Sequence, residues 1–272
     1  MDFLNITGIG SGTSYIATNS QLNMYFLSKR ALANGVSLSG SPLYSTLFPF
    51  IALKLLSLYG WRGSFIVIAG LNLHILAFAA LIRPIVFQSD LPSDARVTLD
   101  VDKIYKPNKK SFLRKYWVCL LLLICNVILM FGFASPFVYI VPYAGELGFP
   151  QSDAAGLLAC TCVGDFVGRP LCGVLMARVD IVKRKIMLST VFALSMYTLI
   201  QLIPIFTTRW LPLVVYSVLL GFWYGVIVVL NMTAIPLIMG TDKRLNTYFA
   251  WFFCSGTVPT FVSGYVVGWL FL

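Results

Sequence analysis

Residues 155–177 read AGLLACTCVGDFVGRPLCGVLMA, an apolar run that carries one acid, Asp165, and one base, Arg169, near its middle. Residues four positions apart lie on the same face of a helix, one turn from each other, so these two side chains can pair. An ionisable side chain at bilayer depth costs about 2.5–3.5 kcal/mol on insertion scales. Such a pair is stable there only if it faces protein or a water-filled cavity.

The chemistry of this pair suggests a function. Arginine offers a planar fork that matches a carboxylate, and an acid can take up a proton. Asp165 and Arg169 therefore indicate a path for an anion and a proton. The alternative is an internal ion pair that only docks this helix on its neighbours.

The composition is that of a membrane protein. Of the 272 residues, 58% are hydrophobic and 11% are charged, whereas soluble domains carry about 25% charged residues. The formal net charge of +10 does not indicate a nucleic-acid partner, because the basic residues lie mostly in short loops between apolar runs. Basic residues so placed are signals of membrane topology.

Eight apolar segments are long enough to cross about 30 Å of hydrocarbon, which takes about 20 helical residues. This pattern predicts an all-α fold, a polytopic membrane bundle with about eight transmembrane helices. The predicted spans are residues 6–27, 32–58, 62–82, 116–142, 152–177, 186–206, 210–239 and 245–272.

Lysine and arginine residues set the expected orientation of these spans. Sixteen of the 20 basic residues fall in loops on one side, and only Arg62 and Arg209 fall in loops on the other. Because loops rich in Lys and Arg stay in the cytoplasm, residue 1 is predicted to lie outside. The polar loop 84–115 is then a cytoplasmic linker, which divides an N-terminal helical bundle (1–83, three spans) from a C-terminal one (116–272, five spans).

Three motifs carry a family resemblance. Residues 25–40, YFLSKRALANGVSLSG, resemble the second signature of the monocarboxylate transporter family, within the major facilitator superfamily. Serines replace one basic residue and two alanines of that signature, at Ser28, Ser37 and Ser39. Residues 59–65, YGWRGSF, resemble the family's turn between its fifth and sixth helices. Residues 165–170, DFVGRP, resemble its D-x-x-x-R-P motif in the eighth helix.

The resemblance implies a fold and a function. The family has twelve helices, and the eight predicted here correspond to its fourth through eleventh, an incomplete major facilitator fold. We expect a carrier of small monocarboxylates such as lactate or pyruvate, coupled to protons and located in the plasma membrane. The expected partners are the substrate, the proton, the lipid bilayer and an accessory membrane glycoprotein. The alternative is a truncated form of such a carrier that does not transport.

Five residues are candidates for the site. The resemblance implies that Asp165 and Arg169 bind proton and substrate. Arg30, at the cytoplasmic end of the first span, is a candidate gate, although a topology-setting charge explains it equally well. Phe222 and Tyr224 lie mid-span where relatives place aromatic cavity residues, although packing aromatics explain them as well.

Enzymatic and metal chemistry are not expected. The chain has no H-E-x-x-H motif, and no second mid-span carboxylate completes a catalytic dyad with Asp165. Cys160 and Cys162 lie on the same helix but have no histidine near them, so a metal site is not expected. No cofactor is predicted.

Overall fold

A computed structural model of the chain describes residues 2–26, 29–81, 109–179, 185–239 and 245–270. All regular structure in these ranges is helical, as predicted. The helices are α1 (Asp2–Tyr25), α2 (Arg30–Leu38), α3 (Gly40–Leu81), α4 (Lys109–Glu146), α5 (Gln151–Arg178), α6 (Ile186–Ile200), α7 (Ile203–Phe206), α8 (Trp210–Met239) and α9 (Leu245–Leu270).

Five helical stretches of the described chain are long and apolar enough to cross a membrane. They are Arg30–Leu81, Trp117–Glu146, Gln151–Arg178, Ile186–Phe206 and Trp210–Ile238. These five contain six of the eight predicted spans, because the first is 52 residues long and holds two of them. Helices α1 and α9 cover the remaining two, but they are interrupted by Gly, Ser and Thr and are not among the five. The polytopic helical membrane bundle is thus confirmed.

Two helix breaks follow from residue chemistry. Gly60, inside α3, has φ +64° and ψ −178°, a left-handed conformation that glycine adopts without a steric penalty. Gly60 lies among residues 59–61, which are predicted to separate the second span from the third. The predicted sixth span is divided into α6 and α7, and Pro204 lies in the first turn of α7. Proline is suited to a first turn because it has no N–H to leave unpaired.

The chain forms two compact units. The first comprises residues 1–43 and 113–272, and it holds the candidate site. The second comprises residues 44–112, and within it the rings of Tyr44 and Phe48 stack with centroids 4.7 Å apart. The division into two bundles and a linker remains a prediction, since residues 82–108 lie outside the described ranges.

The first unit exposes apolar side chains and buries polar ones. Phe206, Phe261 and Tyr265 are each about 80% exposed, as suits a surface that meets lipid tails. Polar side chains that hydrogen-bond across helices hold a membrane bundle together. The buried polar residues include Asn23, Asn34, Asn126, Asp165, Arg169, Asn231 and Thr233.

Glycines bring α5 into backbone contact with α8. A Cβ atom added to Gly164 would overlap the carbonyl of Val218, and one added to Gly221 would overlap the carbonyl of Thr161. Small residues at such crossings let helix backbones approach closely. This approach fixes the rotation of α5 and thereby turns its charged pair into the interior.

A second glycine contact joins α2 to α5. A Cβ on Gly35 would lie 2.7 Å from the carbonyl oxygen of Arg169, and one on Gly173 would lie 2.7 Å from that of Ala31. Helix α2 therefore packs directly beside the part of α5 that carries the candidate site.

Candidate functional site

The predicted pair forms in the middle of α5. Asp165 and Arg169 are 8% and 5% exposed, and two parallel hydrogen bonds join them. Arg169 Nε donates to Asp165 Oδ1 at 2.6 Å, and Nη2 donates to Oδ2 at 2.6 Å. This bidentate, charge-assisted geometry is the strong form of an ion pair. The two charges cancel at a depth where an isolated charge would be costly.

Arg169 also reaches another helix. Its Nη1 donates to the backbone carbonyl of Leu38, the last residue of α2. Residue 42 is proline, so this carbonyl has no N–H four positions on to accept from. An arginine side chain has five N–H donors, and these three bonds use three of them. Two donors remain for a further acceptor.

A cavity of about 350 Å³ lies beside Arg169. Its polar lining includes Tyr15, Asn126, Arg169, Tyr224 and Asn231, from helices α1, α4, α5 and α8. Among the described residues that line it, Arg169 is the only charged one. The volume is in the range of small-molecule pockets, which combine an apolar wall with a few polar groups.

The two aromatic candidates, Phe222 and Tyr224, line different cavities. Tyr224 lines the cavity, and its ring stacks on Phe133 with centroids 3.7 Å apart and planes 10° apart. Phe222 lies with Trp223 on a separate, mostly apolar groove of about 730 Å³ between α5, α6 and α8. The structure thus brings Tyr224, but not Phe222, to the cavity that holds Arg169.

Arg30 lies away from this cavity and joins two helix ends. Its Nε donates to the carbonyl of Asn23 in the last turn of α1 at 3.0 Å, and its Nη1 donates to the carbonyl of Pro236 on α8 at 3.2 Å. The last four carbonyls of a helix have no partner within it, so Arg30 satisfies one of them.

An amide pair lies next to this link. Asn34 Nδ2 donates to Asn23 Oδ1 at 2.9 Å and to Thr233 Oγ1 at 3.3 Å, and Asn23 Nδ2 donates back to Asn34 Oδ1 at 3.2 Å. Polar bonds therefore join α1, α2 and α8 in the same region of the molecule.

Two site residues, Asn126 and Asn231, are not singled out by the sequence patterns. Both are buried, at 1% and 4% exposed, and both line the cavity. The available signal was an amide side chain within an apolar span, which is typical of helix contacts as well as of sites. Only the packing separates these two roles.

Comparison with known proteins identifies the class. Residues 4–264 match the Major Facilitator Superfamily. The chain belongs to this superfamily of multi-pass membrane transporters, which are not enzymes.

Three relatives show the resemblance in detail. Monocarboxylate transporter 4 of Gallus gallus is 29% identical over 242 residues, which cover 88% of this chain and 50% of the relative. Monocarboxylate transporter 2 of Mesocricetus auratus is 30% identical over 234 residues, or 81% of this chain and 48% of the relative. Monocarboxylate transporter 12-B of Danio rerio is 28% identical over 288 aligned residues, which cover 97% of this chain and 60% of the relative. The predicted resemblance to monocarboxylate transporters is confirmed. The chain spans about half the length of the curated relatives it matches.

Proposed function

We propose that this chain handles substrate and proton in a carrier that moves small monocarboxylates, such as lactate or pyruvate, across the plasma membrane. The observation that supports this function is the buried Asp165–Arg169 pair, which presents an arginine to a small-molecule-sized cavity. The names of the relatives support the substrate class. An accessory membrane glycoprotein is a further expected partner.

Charge balance couples the uptake of a proton to the binding of a carboxylate. The empty pair of Asp165 and Arg169 is neutral. A carboxylate entering alone would leave one net negative charge in the interior, and a proton entering alone would leave one positive charge. Because uncompensated buried charge is expensive, the two enter together, with one proton for each carboxylate.

The proton acts on the hydrogen bonds. When Asp165 is protonated, its charge-assisted bonds from Arg169 become weaker neutral ones. The guanidinium then offers its fork to the substrate carboxylate from the cavity side. Release of the proton restores the pair and expels the anion, since Asp165 again competes for the same N–H groups.

Alternating access requires that links between helices break and re-form. The bond from Arg30 to the Pro236 carbonyl is such a link, at the end that the basic loops predict to be cytoplasmic. We propose that it holds that end closed. Arg30→Lys keeps the topology-setting charge but not the fork that reaches two carbonyls. Slower uptake in Arg30→Lys supports the gate, and uptake equal to that of the wild type contradicts it.

The function is tested by uptake of labelled lactate and pyruvate at mildly acidic and at neutral pH in cells that express this chain. We expect faster uptake at the acidic pH, and we expect Arg169→Ala to abolish it. Arg178→Ala is the matched control, because Arg178 is an exposed arginine at the end of the same helix. Uptake that survives Arg169→Ala contradicts the proposal. Surface expression without any uptake favours the alternative that the chain does not transport by itself.

A further inference from the structure

The orientation of the Asn126 side chain is fixed by its neighbours on α9. Its Nδ2 donates to the carbonyl of Phe252 at 2.9 Å and to Ser255 Oγ at 3.1 Å. A backbone carbonyl only accepts, so the nitrogen of the amide must face α9 and the oxygen must lie on the other side. Asn126 therefore offers an acceptor, not a donor, on its remaining side.

That acceptor has no hydrogen-bond partner among the residues that the structure describes. Asn126 Oδ1 is buried without a hydrogen bond, although the residue is only 1% exposed and lines the cavity that contains Arg169. Asn231 lines the same cavity, and its Oδ1 is likewise buried without a partner in the described part of the chain. Buried polar atoms are nearly always satisfied, and an unpaired acceptor beside a ligand-sized cavity indicates a donor on the ligand.

We propose that Asn126 determines substrate specificity, because its Oδ1 accepts a hydrogen bond from a hydroxyl group of the bound carboxylate. The site then prefers 2-hydroxy acids to the corresponding 2-oxo and unsubstituted acids. This inference rests on the proposed function, since it assumes that Arg169 holds the carboxylate of the same molecule.

The chemistry of the cavity selects a hydroxyl over other groups. An ammonium group would need a counter-charge, but the charged residue on the described cavity wall is Arg169, and both oxygens of Asp165 bond to it. A 2-oxo group presents an acceptor to the acceptor of Asn126, which is repulsive. A hydroxyl supplies the donor and adds no charge.

The apolar wall limits the rest of the substrate. Leu129, Met130 and Val228 line the same cavity, so a short hydrocarbon chain is accommodated there better than a second charged group. This agrees with a small monocarboxylate as ligand.

The inference is tested by calorimetric binding of three probes to the purified chain in detergent. Lactate, pyruvate and propionate have the same carbon skeleton and differ at the second carbon only. One hydrogen bond to an otherwise unpaired acceptor corresponds to about a ten-fold difference in affinity. We therefore expect lactate to bind about ten-fold more tightly than propionate, and pyruvate to bind no more tightly than propionate.

Two variants distinguish the effect of the Asn126 acceptor from the effect of its surrounding packing. Asn126→Leu is close in size and removes the acceptor, so the lactate-to-propionate ratio should fall to about one. Ser255→Ala removes one partner of the Asn126 nitrogen and leaves the oxygen, so the ratio should persist. If Asn126→Leu does not fold, Asn126→Ala also removes the acceptor and gives the same ratio test with a smaller side chain.

The outcomes distinguish the two proposals. Binding of all three acids with equal affinity, each lost in Arg169→Ala, contradicts the role of Asn126 but not the proposed function. A lactate preference that persists in Asn126→Leu likewise contradicts the role of Asn126. Failure of every carboxylate to bind contradicts the proposed function, and the role of Asn126 with it.

Discussion

Arg169 has two bonding partners, and only one of the two pairings follows from the sequence. Asp165 faces it because the two are four residues apart on one helix. The Leu38 carbonyl is free to accept from Arg169 because Pro42 supplies no N–H to it. The first relation is a local spacing and could be predicted. The second depends on how α2 packs against α5, which no motif encodes.

The role of Pro42 can be tested by restoring the missing donor. Pro42→Ala gives the Leu38 carbonyl an N–H donor four positions on, in the first turn of α3, which competes with Arg169. The guanidinium then loses an anchor worth about 1 kcal/mol, so we expect lactate binding to weaken by about two- to ten-fold. Pro49→Ala, a change at another proline of α3, is the control for relief of a helix kink. Equal effects of the two changes would show that the Leu38 carbonyl does not position Arg169.

At the scale of helices, the contact between α5 and α8 positions the site. Gly221 and Gly225 of α8 face the α5 backbone at the turns that carry Thr161 and Asp165. Any side chain there must push the helices apart, and the shift would carry Asp165 and Arg169 with it. The glycines are therefore part of the construction of the site, although they touch no substrate.

The chain contains a matched pair of glycines for testing this contact. Gly221→Ala places a Cβ against the Thr161 carbonyl, whereas Gly156→Ala on α5 meets nothing within 4 Å. Overpacking typically costs about 1–3 kcal/mol, while alanine in an open helical position stabilises by about 0.5–1 kcal/mol relative to glycine. We expect thermal unfolding in detergent to occur at lower temperature for Gly221→Ala and at an unchanged or higher temperature for Gly156→Ala. If both variants unfold like the wild type, the close approach of α5 and α8 is wrong.

Helix positions were more predictable than helix faces. The predicted seventh span, 210–239, coincides with α8, and the predicted fifth span, 152–177, lies within one residue of each end of α5. The sequence does not show which residue of the run Phe222, Trp223, Tyr224 faces the cavity. Successive residues are rotated by about 100° around a helix, so neighbours in sequence face different surfaces. Only packing shows that Tyr224 meets the cavity.

At the scale of the whole first unit, the described residues are arranged for a bilayer, with apolar surfaces outside and amides and the Asp165–Arg169 ion pair inside. Composition and apolar run lengths predict this arrangement, because both report on the surrounding solvent. Asn126 shows where prediction from sequence ends. An amide in an apolar span can serve a helix contact or a ligand, and Asn126 has one side of its amide on α9 and the other unpaired.

The predicted orientation can be tested at the two ends of α5. Asp153 and Arg178 are both exposed, and basic loops place Asp153 outside and Arg178 in the cytoplasm. In intact cells we expect a membrane-impermeant maleimide to label Asp153→Cys and not Arg178→Cys, with the unsubstituted chain as background. Permeabilised cells should show labelling of both. Labelling of Arg178→Cys alone in intact cells would show that the topology is the reverse of the predicted one.

The central claim is that Asp165 carries the proton that accompanies the carboxylate, and the most direct measurement is proton movement itself. The chain is reconstituted into vesicles with a pH-sensitive dye inside, and a lactate gradient is applied. We predict that inward lactate acidifies the interior for the wild type. In Asp165→Asn, lactate that still enters should bring no protons. Acidification of equal size per lactate in Asp165→Asn would contradict the account, because the proton would then travel on another group.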